Sequence, residues 1–193
     1  MAKISVLDYL REFRRNPRSI GSFAESGPML SKAMAKASVA SLDGIIVEFG
    51  PGTGVITAQL LAEGVAPNRL LLIEFHPLFA ANLRQRFPQL KIVQGDAWKI
   101  EDILAEYFPH QKCCAVVSSL PLLNFPKVRR EALMQVIDTI LDPVCGRFVQ
   151  FSYGLKIPLE PSANFTASCS KWILRNVPPA RVWLYDRRQK TMV

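Results

Sequence analysis

Between residues 44 and 154, short apolar runs alternate with helix-patterned segments. This alternation restricts the fold more than any other feature of the chain. GIIVEFG (44–50), RLLLIEF (69–75), LKIVQGD (90–96), CCAVVSSL (113–120) and GRFVQFSYG (146–154) have the length of buried strands. Between them lie VITAQLLAEG (55–64), PLFAANLRQRF (77–87), EDILAEYF (101–108) and PKVRREALMQVIDTIL (126–141). The first of these ends at a glycine and the second opens on a proline, both boundary signals of helices. Apolar strands that each feed a helix predict an α/β fold, a parallel sheet with helices on both faces. The tail KWILRNVPPARVWLYDRR (171–188) predicts two further strands joined at Pro178-Pro179, for a mostly parallel seven-stranded sheet. A length of 193 residues suits one such domain.

The first forty residues read differently. Ile4, Leu7, Leu10 and Phe13 recur every third position among Arg11, Arg14, Arg15 and Arg18, and Asn16-Pro17 should end that helix. A second helix is expected over 29–39. The domain division is therefore an N-terminal helical lid or membrane-surface segment at 1–40 and a catalytic domain at 41–193. The net charge of +8 favours polyanionic partners. It concentrates at the two ends: seven basic and three acidic residues in 1–40, six basic and one acidic in 171–190. An arginine-rich amphipathic helix within residues 1–18 can lie in the headgroup layer of an anionic membrane. No apolar run reaches spanning length and no signal peptide is evident, so a cytoplasmic protein attached peripherally to the inner membrane is expected. The four cysteines lack metal spacing and read as small buried hydrophobes, and no metal site is expected.

The chemistry should gather in the loops at the carboxyl ends of the strands. The first of these carries Glu48-Phe49-Gly50-Pro51-Gly52-Thr53-Gly54. Glycines at such a turn permit positive φ and close approach of backbone to ligand. Glu74 closes the second strand, where a carboxylate accepts hydrogen bonds from ribose hydroxyls. Gly95-Asp96-Ala97 closes the third, within reach of an adenine amino group. None of the residues from 48 to 54 is basic, which suits a nucleoside cofactor without a pyrophosphate.

This combination resembles the class I S-adenosylmethionine-dependent methyltransferases, which have a Rossmann-like fold. The resemblance implies S-adenosylmethionine as cofactor and S-adenosylhomocysteine as product. It places Glu48, Gly50, Gly52 and Gly54 at the amino-acid end of the cofactor, Glu74 at the ribose, Asp96 and Ala97 at the adenine, and Ser118 on the cofactor's acceptor side.

The loop after the fourth strand reads Ser118-Ser119-Leu120-Pro121-Leu122-Leu123-Asn124-Phe125-Pro126. Adenine-N6 methyltransferases carry an amide or acid, a proline and an aromatic pair here, and this chain keeps only the proline. Together with FRRNPRSIGSFAESGP (13–28), FVQFSYG (148–154) and RNVPPARVWLY (175–185), the loop is similar to the soluble bacterial phospholipid N-methyltransferases. That resemblance implies stepwise methylation of phosphatidylethanolamine towards phosphatidylcholine, or of another amine lipid. Ser119, Leu120 and Pro121 are then expected at the lipid and Arg181, or Arg175, at its phosphate. Ser118 is expected to meet the amine through its backbone carbonyl, and the ring of Tyr153 to face the methylated cation. Nucleic acid is not expected as a partner. Two alternatives stay open: methylation of an rRNA adenine, and a non-catalytic lipid-binding protein on the same fold.

Overall fold

The computed structural model describes residues 27–39, 44–176 and 178–188. The amphipathic helix read over 3–15, and with it the membrane contact expected of residues 1–18, lies outside the described residues. Helix α1 (Pro28–Val39) precedes an alternation of β1 (Ile45–Phe49), α2 (Val55–Ala62), β2 (Leu70–Glu74), α3 (Pro77–Arg86) and β3 (Lys91–Gln94). It continues as α4 (Ile100–Tyr107), β4 (Cys113–Ser118), α5 (Lys127–Ile140), β5 (Arg147–Ser152), β6 (Phe165–Cys169) and β7 (Arg181–Arg187). The seven strands form one sheet in the order β3-β2-β1-β4-β5-β7-β6. Only β7 runs antiparallel to its neighbours. The fold is the Rossmann-like α/β sandwich expected of the sequence. The order reverses between β1 and β4, and the glycine turn leaves β1 at that point.

Period-two alternation splits the strands between two cores. Ile45, Val47, Phe49, Leu71, Ile73 and Phe148 face α4 and α5, whose Ile100, Leu133, Met134 and Ile137 complete that cluster. Ile46, Leu70, Leu72, Val117 and Val149 face the other side, with Ile56 and Leu60 of α2 and Leu83 of α3. Helix α1 belongs to this second core. Leu30, Met34 and Ser38 fall four residues apart on one face and are buried, as are Ser31 and Ala35 on the adjoining row. The stretch 1–40 therefore divides: residues 28–39 complete the sandwich rather than forming part of a separate lid.

The closing hairpin forms with different bounds from those expected. Its first strand is β6 at 165–169, upstream of the expected 171–188. Residues 171–180 instead make a turn held by the Ile173–Ala180 bridge. The strand FTASC alternates apolar and polar residues, but it is only five residues long and its Ala167 and Cys169 are small and half-buried, a faint signal. Of the cysteines, Cys113 and Cys114 are buried as expected, but Cys145 is exposed at the turn before β5 and Cys169 is half-buried.

Tyr185 of β7 pins the long β5–β6 connection to the sheet. Its ring is fully buried against Phe148. Its hydroxyl donates to Leu159 O at 2.8 Å and accepts from Leu159 N at 3.2 Å. Tyr185→Phe leaves both backbone groups without a partner in a dry interior, at an expected cost of about 1–3 kcal/mol. A lowered urea midpoint with an unchanged slope checks this, and an unchanged midpoint refutes it.

Candidate active site

The turn after β1 approaches α2 through glycines in left-handed conformations: φ is 65° at Gly50, 56° at Gly52 and 81° at Gly54. A side chain at Gly54 would also collide with the ring of Phe87, 2.6 Å from where its Cβ would stand. At Gly50 a Cβ would press on the side chain of Leu120, at 3.1 Å. The turn is thus wedged between α3 and the loop after β4, and its left-handed backbone favours glycine at 50, 52 and 54.

Two carboxylates flank it. Glu74, at the end of β2, accepts from the N–H of Gly52 at 3.0 Å and from the N–H of His76 at 2.8 Å. Glu48 of β1 is fully buried and takes a 2.6 Å hydrogen bond from Thr57 of α2 through one oxygen. Its other oxygen, Oε1, has no partner. Burial pushes the Glu48 carboxyl up to about 8, against the hydrogen bond from Thr57, and the neighbouring Glu74 adds to the rise. Burial also raises Glu74, opposed by its two backbone donors. A dry, unpaired acceptor beside a glycine cradle is costly unless a ligand completes it. It suits the cationic amino-acid end of S-adenosylmethionine. The residues present therefore fit that cofactor.

Asp96 follows β3 and caps the short turn Ala97–Lys99 by accepting from Trp98 N at 3.1 Å. Its second oxygen lies 3.8 Å from Nη2 of Arg129 on α5. Arg129 also stacks over Trp98 at 4.5 Å, and Trp98 Nε1 donates to Arg129 O at 3.0 Å. Phe125 meets Trp98 edge-on at 5.1 Å. Ala97 is buried beneath this cluster.

On the acceptor side, the Ser118 hydroxyl is buried and accepts from Leu120 N at 3.2 Å, turning the loop sharply. Ser119 N donates to Phe49 O at 2.9 Å, tying the loop to β1. Leu120 covers Gly50, and Pro121 leads into the one-turn helix Leu122–Asn124, in which Leu122 is buried. The structure therefore gathers Glu48, Gly50, Gly52, Gly54, Glu74, Ser118, Ser119, Leu120 and Pro121 around one crevice. Asp96 and Ala97 form its β3 wall.

Two expected residues stand apart from that crevice. Tyr153 falls on the α1 side of the sheet, with Phe151 at 5.3 Å, whereas Ser118 falls on the α5 side. Burial pushes the Tyr153 phenol up, with Asn176 beside it. Arg181 reaches the correct end of the sheet, opposite Ser152. There its Nε donates to Ser170 O at 3.0 Å, its Nη2 contacts Cys169 Sγ at 2.6 Å, and its guanidinium stacks on Trp172 and Trp183. Those donors hold together the turn between β6 and β7.

Sequence reading missed several members. Thr57 is an ordinary helix residue until Glu48 is placed beside it. Arg129 and Trp98 meet only through the fold, and Arg86 of α3 reaches back to Thr53 O. Gln150 carried a signal, as a polar residue in the middle of the apolar run FVQFS. It is buried, and its amide nitrogen donates to Leu120 O at 3.0 Å, while its Oε1 has no partner.

No protein-family model matches the chain. A relative described as an ornithine lipid N-methyltransferase, from Singulisphaera acidiphila, is 34% identical over 148 residues, 75% of this chain and 76% of its own. A dimethyladenosine transferase from Kluyveromyces lactis is 26% identical over 125 residues, of which the chain spans 38% of the relative's length. Among solved structures, TrmN from Thermus thermophilus superposes with a TM-score of 0.65 at 15% identity, covering 91% of this chain and 53% of that one, a likeness of fold. The sheet order, the acid-flanked glycine turn and the close relative converge: this chain belongs to the class I S-adenosylmethionine-dependent methyltransferases, in the family of that ornithine lipid N-methyltransferase.

Proposed function

We propose that the protein transfers methyl groups from S-adenosylmethionine to the amine headgroup of a membrane lipid, with phosphatidylethanolamine and ornithine lipids as the acceptors to be told apart. The observation that carries this is the acceptor loop. Its mouth is made of Ser119, Leu120, Pro121 and Leu123, and its ring, Phe125, is taken up by Trp98 and Arg129 rather than turned to a base. A base held for methylation calls for an aromatic ring to stack on, and the one ring of this loop is engaged elsewhere. An amine on a flexible headgroup needs only an acceptor and a dry channel. The relative that methylates an ornithine lipid, by its description, supports the same reading.

In the proposed arrangement Glu74 takes the ribose, Asp96 and Ala97 the adenine side, and the turn with Glu48 the amino-acid end. The bound cofactor supplies an electrophilic methyl group on sulfur, and the product is S-adenosylhomocysteine. The acceptor nitrogen must arrive without its proton, and an alkylamine titrates near about 10.4 in water. The apolar mouth lowers that value by desolvation, and the acceptor proton leaves to solvent. The Ser118 backbone carbonyl and Gln150 Oε1 are the acceptors that orient the amine. Holding it in line at contact distance contributes several kcal/mol of the barrier without a strong base.

The second reading, rRNA adenine methylation, is favoured by the similarity to the dimethyladenosine transferase. Incubation with labelled cofactor, vesicles containing phosphatidylethanolamine or an ornithine lipid, and RNA separates the two. Label is expected in extracted lipid, and label confined to RNA reverses the assignment.

Glu74→Ala is expected to weaken binding of S-adenosylhomocysteine by about tenfold or more, equivalent to about 1.4 kcal/mol. Undiminished heat of binding in calorimetry would contradict the ribose placement. Glu48 sets a pH dependence of opposite sign to that of a salt-bridged acid. Unfolded, it ionises near 4.5; folded, it keeps its proton to about 8. The unfolded chain thus holds fewer protons across that window, and stability falls as pH rises through it. Glu48→Gln keeps the acceptor for Thr57 and removes this loss. Its melting midpoint is expected several degrees above wild type at pH 8, with the gap closing as pH drops to 4.5. A gap independent of pH would show that Glu48 is not protonated in the fold.

A further inference from the structure

Exposed apolar side chains on this protein are sorted to one end. Of the eight large ones among the described residues, seven lie in loops or helix starts at the carboxyl end of the parallel strands, and only Val144 lies at the other. Leu78 opens α3 and Met29 opens α1 on the periphery of that end. The rest cluster where β4, β5 and the β6–β7 turn emerge. Val128 on the first turn of α5 is 75% exposed, Leu155 after β5 is 74% exposed and Leu174 in the turn before β7 is 73% exposed, with Trp172 and Leu123 partly open beside them.

The three segments are joined. Arg130 Nη1, two residues past Val128, donates to Pro158 O at 3.1 Å, which seats the Leu155 loop against α5. Ser152 and Arg181 are paired across β5 and β7, which sets the same loop beside the Trp172–Leu174 turn. Asn176 fixes that turn to the start of α1 by accepting from Gly27 N at 2.8 Å, and donates within it to Pro178 O at 2.7 Å. The apolar tips are thus mounted on held backbone along one rim.

The rim is basic. Segments 119–131, 153–160 and 170–180 carry Lys127, Arg129, Arg130, Lys156, Lys171 and Arg175 against Glu131 and Glu160. Arg129 and Arg130 are held inward, Lys127 lies 3.5 Å from Glu131, and Lys156, Lys171 and Arg175 are exposed in the same segments as Leu155, Trp172 and Leu174. Apolar tips with interleaved cations match the boundary between acyl chains and anionic headgroups.

We infer that this rim, formed by the loops after β4 and β5 and by the β6–β7 turn, docks on an anionic lipid bilayer. The inference rests on the lipid reading of the active site and adds a contact independent of residues 1–18. The crevice opens on the same end of the sheet, so a docked enzyme meets headgroups without extracting the lipid.

Trp172 serves as the reporter. The full-length protein is mixed with vesicles of phosphatidylcholine and about 30 mol% phosphatidylglycerol, part of the phosphatidylcholine being brominated on its acyl chains. Tryptophan emission is expected to be quenched, with most of the quenching lost in Trp172→Phe. The pair Leu155→Asp with Leu174→Asp is expected to reduce co-sedimentation by at least about tenfold. Lys156→Glu with Lys171→Glu is expected to remove the preference for anionic vesicles, while Val144→Asp at the opposite end behaves as wild type. S-adenosylhomocysteine binding unchanged in all variants shows that they are folded. Quenching that survives in Trp172→Phe, or wild-type sedimentation of the Leu155/Leu174 pair, overturns the docking surface. Lipid methylation is scored separately in detergent micelles, where docking is not required. Failure there, with quenching intact, overturns the acceptor assignment and leaves the docking rim standing.

Discussion

The Glu74 carboxylate, at the end of β2, holds the N–H of Gly52 in the turn leaving β1 and the N–H of His76 at the entry to α3. Three elements meet at that one group, and the crevice exists because they do. A glycine turn alone is loose backbone. Fastened to the neighbouring strand end, it becomes a rigid cradle whose left-handed conformations persist. The arrangement leaves two carboxylates close together in a dry place. Glu48 bears the consequence, retaining a proton that exposed glutamates give up, and keeping one oxygen without a partner. This is local instability concentrated beside the glycine turn, where the proposed cofactor would place its amino group.

The acceptor side is organised by other means. The loop from Ser118 to Pro126 contains no charged residue. Its shape comes from backbone contacts to β1, from the hydroxyl of Ser118 and from the amide of Gln150 on the adjacent strand. Arg129 couples this half to the other by joining Asp96 and Trp98 to α5, whose first turn follows the loop directly. The two halves of the crevice are thus connected across the sheet through one guanidinium.

Beyond the crevice, the distribution of exposed apolar residues follows the same polarity as the sheet. Among the described residues, seven of the eight large exposed apolar side chains lie at the carboxyl end of the parallel strands and only Val144 at the other. Within the described residues no helix is long and apolar enough to cross a membrane.

Much of this was legible in the chain itself. Strand–helix alternation from residue 44 dictates a parallel sheet because each apolar run is too greasy for an open face and too short for a helix. The spacing of Glu48, the three glycines, Glu74 and Asp96 likewise places one crevice, since parallel strands end on the same side. Partners that lie far apart in sequence were not legible. The orphaned oxygens of Glu48 and Gln150, the Arg129–Asp96–Trp98 cluster, the inward engagement of Arg181 and the placing of Tyr153 on the α1 side all arise when strands take their register, and register is a property of the packed sheet. The same holds for α1, whose apolar residues reveal a buried face but not which sheet face it covers. Local pattern determined the elements and the order of the site. Only the tertiary structure decided which polar atoms are left without partners, because desolvation is set by what closes over a residue and not by its neighbours along the chain.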